Sequence, residues 1–136
     1  MEKGNSIKVL SVSRLEAEKD LGTAIKAFEI IAKKYADVVF IIVGDGSLRQ
    51  SLEVLAKSLG VEEKVRFVGW KERTEEYYKD ADIYISTSLY EGYGMSMVEA
   101  GSFGIPLVMS DTGVAGSVFK SGGSQDLARL ERPMAD

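Results

Sequence analysis

The run Val38–Val43, VVFIIV, is apolar at every position, and it constrains the fold more than any other stretch of this sequence. A strand with one wet face alternates apolar and polar residues, whereas one covered on both faces has no reason to alternate. Ile7–Val12 (IKVLSV), Val65–Val68 (VRFV), Ile83–Ser86 (IYIS) and Leu107–Ser110 (LVMS) are further short β-rich runs. Amphipathic stretches separate them. Asp20 is placed to cap a helix whose inner face is Leu21, Ala24, Ile25, Phe28, Ile31 and Ala32. Ser47 is placed to cap the next, with Leu48, Leu52, Leu55, Ala56 and Leu59 inward and Gly60 at the stop. KERTEEYYKDAD offers Tyr77, Tyr78 and Ala81 to an inner face, and a fourth helix spans Met95 to Phe103 and ends before Pro106. The order βαβαβαβαβ predicts an α/β fold: a Rossmann-like, doubly wound parallel sheet with right-handed crossovers, in three αβα layers.

At 136 residues the chain has enough length for one core. We expect a folded unit over residues 1–118 and an irregular tail over 119–136, where SGGS reads as a linker and DLARLE as at most a turn or two of helix. A net charge of −4 argues against a nucleic-acid partner, which calls for a basic excess, but not against one small phosphorylated ligand. Cysteine and histidine are both absent. That excludes disulfides, Cys-based zinc sites and imidazole chemistry, and it fits a reducing cytoplasm. There is no 18-residue apolar run, no signal-peptide pattern and no basic amphipathic helix, so nothing in the chain supports membrane association.

In open parallel sheets ligands bind outside the carboxyl ends of the strands. The loops there are SRLEAEK, GDGS, GWKERT, TSLYEGYG and DTGVAG. In the fourth, Glu91 precedes Gly92 and Gly94, and Glu99 follows eight positions after Glu91. Two helical glycines would cost about 2 kcal/mol, so the helix is expected to begin at Gly94 or Met95, with Glu91 on the loop and Glu99 one turn in. The unpaired amides of such a helix start favour an anion. A turn followed by a core helix with a solvated glutamate fits the same spacing.

Arg14 and Lys19 flank LEAE and suit a diphosphate held without a metal; alternatively Glu16 and Glu18 simply pair with them. Gly44 and Gly46 tempt a dinucleotide reading, but Arg49 stands where a third glycine belongs. A tight turn capped by Ser47 is the better account, with its amides still able to face a ligand. Trp70 could stack on a base, although a tryptophan at a strand end more often packs on the core.

Together, SRLEAEKDLGTAIKAF, FIIVGDGSLRQSLEVLAKSLGVEEKVRFVGW and YYKDADIYISTSLYEGYGMSMVEAGSFGIPLVMSDTG resemble the carboxyl-terminal nucleotide-binding domain of retaining GT-B glycosyltransferases, the glycosyl transferases group one or family four. The resemblance runs from Val9 to Gly113, and its most specific element is E-x7-E, Glu91 to Glu99.

It implies one half of a GT-B fold that binds a UDP-, GDP- or ADP-linked sugar and serves transfer of a hexose to a glycan or lipid. By resemblance Arg14 and Lys19 grip the donor diphosphate, and Glu91 bonds the sugar hydroxyls. The backbone of Tyr93, Gly94 and Met95 meets the sugar and distal phosphate, Glu99 holds the ribose diol, and Gly69, Trp70 and Lys71 line the base. No metal or other cofactor is implied. The acceptor half, an amino-terminal partner domain, is implied but has no counterpart here, so the chain is expected to bind nucleotide and to be inactive alone.

Departures are Gly101 and Ser102 after the second glutamate, and Ala115, Gly116 and Ser117 where an acid often follows the TG turn. The rival readings are a nucleotide-binding module without catalysis and a phospho-receiver signalling domain. The second needs acids where Ser13–Arg14 and Gly69–Trp70 stand.

Overall fold

A computed structural model of the chain describes residues 6–87 and 95–109. Five strands form one parallel sheet: β1 (Ile7–Val12), β2 (Val38–Val43), β3 (Val65–Gly69), β4 (Ile83–Ser86) and β5 (Leu107–Met109). Their spatial order is β3-β2-β1-β4-β5, so the winding reverses between β1 and β4. The helices are α1 (Leu21–Lys34), α2 (Arg49–Ser58), α3 (Glu75–Asp80) and α4 (Met95–Ser102).

Adjacent strand residues point into different cores, which is why the strands are apolar in succession. Val9, Phe40, Ile42, Val65, Ile85 and Val108 pack with α1 and α2 around the Phe28–Phe40 ring pair, whose centroids are 5.4 Å apart. Leu10, Val43, Tyr84 and Leu107 pack on the opposite face with Tyr78 of α3 and Ala100 of α4. The three-layer Rossmann-like arrangement is thus as expected.

The β1–β4 ladder is short, pairing Val9 with Ile83 and Leu10 with Tyr84. Beyond it the Tyr84 hydroxyl takes over: it accepts from the Val12 amide at 3.2 Å and donates to the Val12 carbonyl at 3.1 Å. Two backbone groups that a longer ladder would have paired are satisfied by one buried side chain. The switch point between β1 and β4 is therefore pinned by a tyrosine.

Both expected caps differ in detail. Asp20 does precede α1, but its carboxylate accepts from the Thr23 hydroxyl at 2.8 Å rather than from a helix amide. Ser47 is not the cap of α2; Leu48 holds that place and the Ser47 hydroxyl is engaged elsewhere. Gly60 ends α2 in the left-handed region at φ 78°, as its place in the sequence suggested. Helix α4 stops at Ser102, one residue early, and Gly104 (φ 76°) turns the chain toward Pro106 and β5. The tail over 119–136 lies outside the described residues.

Candidate functional site at the carboxyl edge of the sheet

In parallel crossovers each helix begins at the carboxyl edge, so the starts of α1, α2, α3 and α4, the loops after β1, β2 and β3 and the end of β4 gather there. Hydrogen bonds tie the loops directly to one another. The amides of Ser13 and Leu15 donate to the carbonyls of Val43 and Asp45 at 3.0 and 2.9 Å, and the Gly44 amide donates to the Gly69 carbonyl at 2.8 Å. The buried Thr87, after β4, donates from Oγ1 to the carbonyls of Asp20 at 2.7 Å and Lys19 at 3.2 Å.

The glycines of GDGS have a role different from the expected one. A Cβ on Gly44 would lie 1.8 Å from the Ser13 carbonyl oxygen, and one on Gly46 would lie 2.5 Å from that of Leu15. The Gly44 amide serves Gly69, and the Gly46 amide donates to the Asp45 carboxylate at 2.9 Å. The amides expected to face a ligand are thus engaged within the protein. These glycines let the loops after β1 and β2 touch backbone to backbone, with Leu15 wholly buried between them.

Sequence reasoning missed the clasp above them. Glu16 accepts from the Ser47 hydroxyl at 2.6 Å through one carboxylate oxygen and from the Ser47 amide at 3.1 Å through the other. The hydroxyl, then the amide, hold the Glu16 carboxyl below its ordinary value, and the nearby Arg14 charge adds to this. A long-range acceptor has outcompeted the local capping bond, and no short-range pattern signals that.

Of the two cations, Arg14 is exposed and pairs with Glu18 at 2.8 Å, as the alternative reading allowed. An exposed pair of this kind holds by about 0–1 kcal/mol, so it orients the guanidinium without committing it. Lys19 ends a 3-10 turn at Ala17–Lys19, half-buried, with its carbonyl held by Thr87.

After β3, Gly69 turns the chain at φ 84°, and Trp70 stands 71% exposed. The expectation that Trp70 packs on the core is therefore wrong. The positive-φ turn at Gly69 carries it off the sheet, and no core residue covers it. Lys71 beside it is exposed as well.

Glu91, Tyr93 and Gly94 lie outside the described residues. Met95 opens α4 as expected. Glu99 is exposed on that helix about one turn from its start, and one carboxylate oxygen accepts from the Tyr78 hydroxyl of α3 at 3.1 Å. Tyr78 was expected only as a core residue. The signal available was its chemistry, since a tyrosine rather than a phenylalanine at a buried position needs a partner for its hydroxyl.

Among the described residues no group of three or more Asp or Glu side chains could hold a metal ion, and no helix is long and apolar enough to cross a membrane. A hollow among them lies away from these loops, on the α3 face near the amino ends of the strands. Lys8, Val39, Ile41, Arg66, Tyr77 and Asp80 line it. Its charges pair in part with each other, Lys8 to Asp80 at 3.1 Å.

Residues 2–129 match the model of the family glycosyl transferases group 1. The chain belongs to that family. An uncharacterized glycosyltransferase of Haemophilus influenzae is 36% identical over 100 residues, covering 74% of this chain and 28% of the relative. The GtfA subunit of the UDP-N-acetylglucosamine–peptide N-acetylglucosaminyltransferase of Streptococcus parasanguinis is 29% identical over 131 residues, 96% of this chain and 26% of the relative. Among solved structures, Anabaena HepE in complex with UDP and glucose superposes with a TM-score of 0.80 at 26% identity, over 97% of this chain and 39% of that one. The chain thus spans between about a quarter and two fifths of the length of the proteins it matches. Membership of a glycosyltransferase family leaves no place for the phospho-receiver reading.

Proposed function

We propose that this chain is the nucleotide-sugar-binding domain of a retaining GT-B hexosyltransferase, that it works in the cytoplasm, and that it requires an amino-terminal acceptor domain for transfer to a glycan or lipid. The observation that carries the reading is the Thr87 tie. It holds the loop bearing Arg14 and Lys19 against the end of the strand that leads into the helix of Glu99. The segment bearing the cations suited to a diphosphate is therefore bonded to the end of β4, the strand that precedes the helix bearing an acid suited to a ribose diol.

In this reading Arg14 and Lys19 bind the two phosphates, Glu99 accepts from both ribose hydroxyls, and Trp70, flanked by Gly69 and Lys71, offers a face to the base. Glu91 accepts from sugar hydroxyls, and the backbone of Tyr93, Gly94 and Met95 meets the distal phosphate. As the bond from the anomeric carbon to the phosphate oxygen breaks, its electron pair stays on the diphosphate. Arg14, Lys19 and the start of α4 stabilise that growing charge, and Glu91 stabilises the cationic sugar. The new bond forms from the acceptor oxygen to the same carbon on the face the diphosphate leaves, and the acceptor hydroxyl's proton passes to the departing diphosphate oxygen. Fixed cations serve where a divalent metal otherwise would. A nucleotide-binding role without transfer is favoured for the chain by itself, because the relatives are between about two and a half and four times as long.

Calorimetric titration with UDP, GDP and ADP tests the reading, UDP first because of the HepE likeness. At least one is expected to bind, and Arg14→Ala is expected to weaken it by about 1.5–3 kcal/mol, the range for hydrogen bonds to charged groups. A folded chain that binds none of the three refutes the assignment.

A further inference from the structure

We infer that Tyr78 is the positioning residue for Glu99, aiming its carboxylate at the ribose diol; this rests on the reading that Glu99 meets the ribose. A glutamate on an exposed helix face has three rotatable bonds and no preferred direction. Here one oxygen is fixed by the Tyr78 hydroxyl at 3.1 Å.

That donor is itself immobile. Tyr78 is 1% exposed and lies between Phe103, stacked at 5.4 Å and 2°, and Tyr84, stacked at 6.0 Å and 24°. Tyr84 in turn grips both the amide and the carbonyl of Val12. The direction of the Glu99 carboxylate is therefore referenced, through two buried rings, to the end of β1. That is the strand whose loop carries Arg14 and Lys19. The acid for the ribose and the strand whose loop carries the cations for the phosphates thus share one frame.

A carboxylate has about four lone-pair sites, so accepting one bond from Tyr78 leaves enough for two ribose hydroxyls. Burial, and then the neighbouring Tyr84 and Glu99, push the Tyr78 phenol well above its ordinary value. It stays a donor at every pH at which the protein would be used.

The test compares binding of the diphosphate that binds most tightly among UDP, GDP and ADP with binding of its 2′,3′-dideoxy form. Tyr78→Phe keeps the ring and removes the hydroxyl. It is expected to weaken the ribose form by about three- to tenfold and leave the dideoxy form unchanged. Equal weakening of both means a structural role only, and no change in either means no role; each overturns the inference.

Glu99→Ala separates the underlying reading. If it affects both ligands equally, or if no diphosphate binds, Glu99 does not meet the ribose and both statements fall. Should Tyr78→Phe not fold, Phe103→Ala decides, because it keeps the Glu99 carboxylate and the Tyr78 hydroxyl and removes only the half-exposed ring stacked on Tyr78. Loss of the preference for the ribose form supports the inference, and retention of it overturns the inference.

Discussion

Replacing Gly44 by alanine tests whether the GDGS turn serves the fold. The new Cβ would stand 1.8 Å from the Ser13 carbonyl oxygen, where real contacts stay beyond 3.0 Å, so the loops must separate by more than an ångström. Two hydrogen bonds cross that seam at 3.0 and 2.9 Å, from Ser13 to Val43 and from Leu15 to Asp45, and neither survives such a shift. Each is worth about 1 kcal/mol net, and a non-glycine residue at φ 136° adds roughly 1–2 kcal/mol of strain. The expected loss is about 3–4 kcal/mol, which lowers the midpoint of thermal unfolding by roughly 10–20 °C in a domain of this size. Gly60→Ala is the control. Its φ of 78° is also left-handed, but nothing lies within 4 Å of the added Cβ, so about 1–2 kcal/mol of strain alone remains. Circular dichroism melts of both variants give the comparison. If Gly44→Ala costs no more than Gly60→Ala, the account of the seam is wrong.

Other perturbations probe the same edge. Thr87→Val removes the donor that serves the carbonyls of Asp20 and Lys19; urea unfolding is expected to show a loss of about 1–3 kcal/mol, and no loss would contradict the tie. Ser47→Ala deletes the largest cause of the lowered Glu16 carboxyl, so NMR titration is expected to show it rise toward its ordinary value. Because that group is depressed in the folded chain, its contribution is present above the ordinary carboxylate range and fades as pH falls through the depressed value. The Ser47→Ala melt is therefore expected to depend less on pH in that window; an unchanged dependence would deny the clasp.

Much of the fold was legible in the sequence because the signals that specify it are local. Consecutive apolar residues in VVFIIV called for burial on both faces, and Ile42 and Val43 do enter opposite cores. The period of α1 placed Leu21, Ala24, Ile25 and Phe28 inward, and all four are buried. What failed was decided by distant partners. Ser47 carries a capping side chain, yet Glu16, thirty-one residues away, takes its hydroxyl. Gly44 and Gly46 suggested a ligand cradle, and the backbone of the neighbouring loop fills it. Trp70 was assigned to the core by habit of its residue type, whereas the turn at Gly69 sends it outward. At the candidate site, Arg14 and Lys19 were legible as cations flanking LEAE after the first strand, and Glu99 as an acid one turn into a helix that starts beside glycines. The hydroxyls that set their frame, on Thr87, Tyr78 and Tyr84, were not, because each acts across the sheet or between helices.

The central claim is that a nucleoside diphosphate binds at the carboxyl edge of this sheet. Backbone amide chemical-shift mapping of the chain, titrated with UDP, GDP and ADP in turn, tests it most directly. The account predicts shifts concentrated on Ser13–Lys19, Gly69–Lys71 and Met95–Glu99. Shifts centred instead on the hollow lined by Lys8, Val39, Arg66 and Asp80, or no shifts with any of the three, would contradict it.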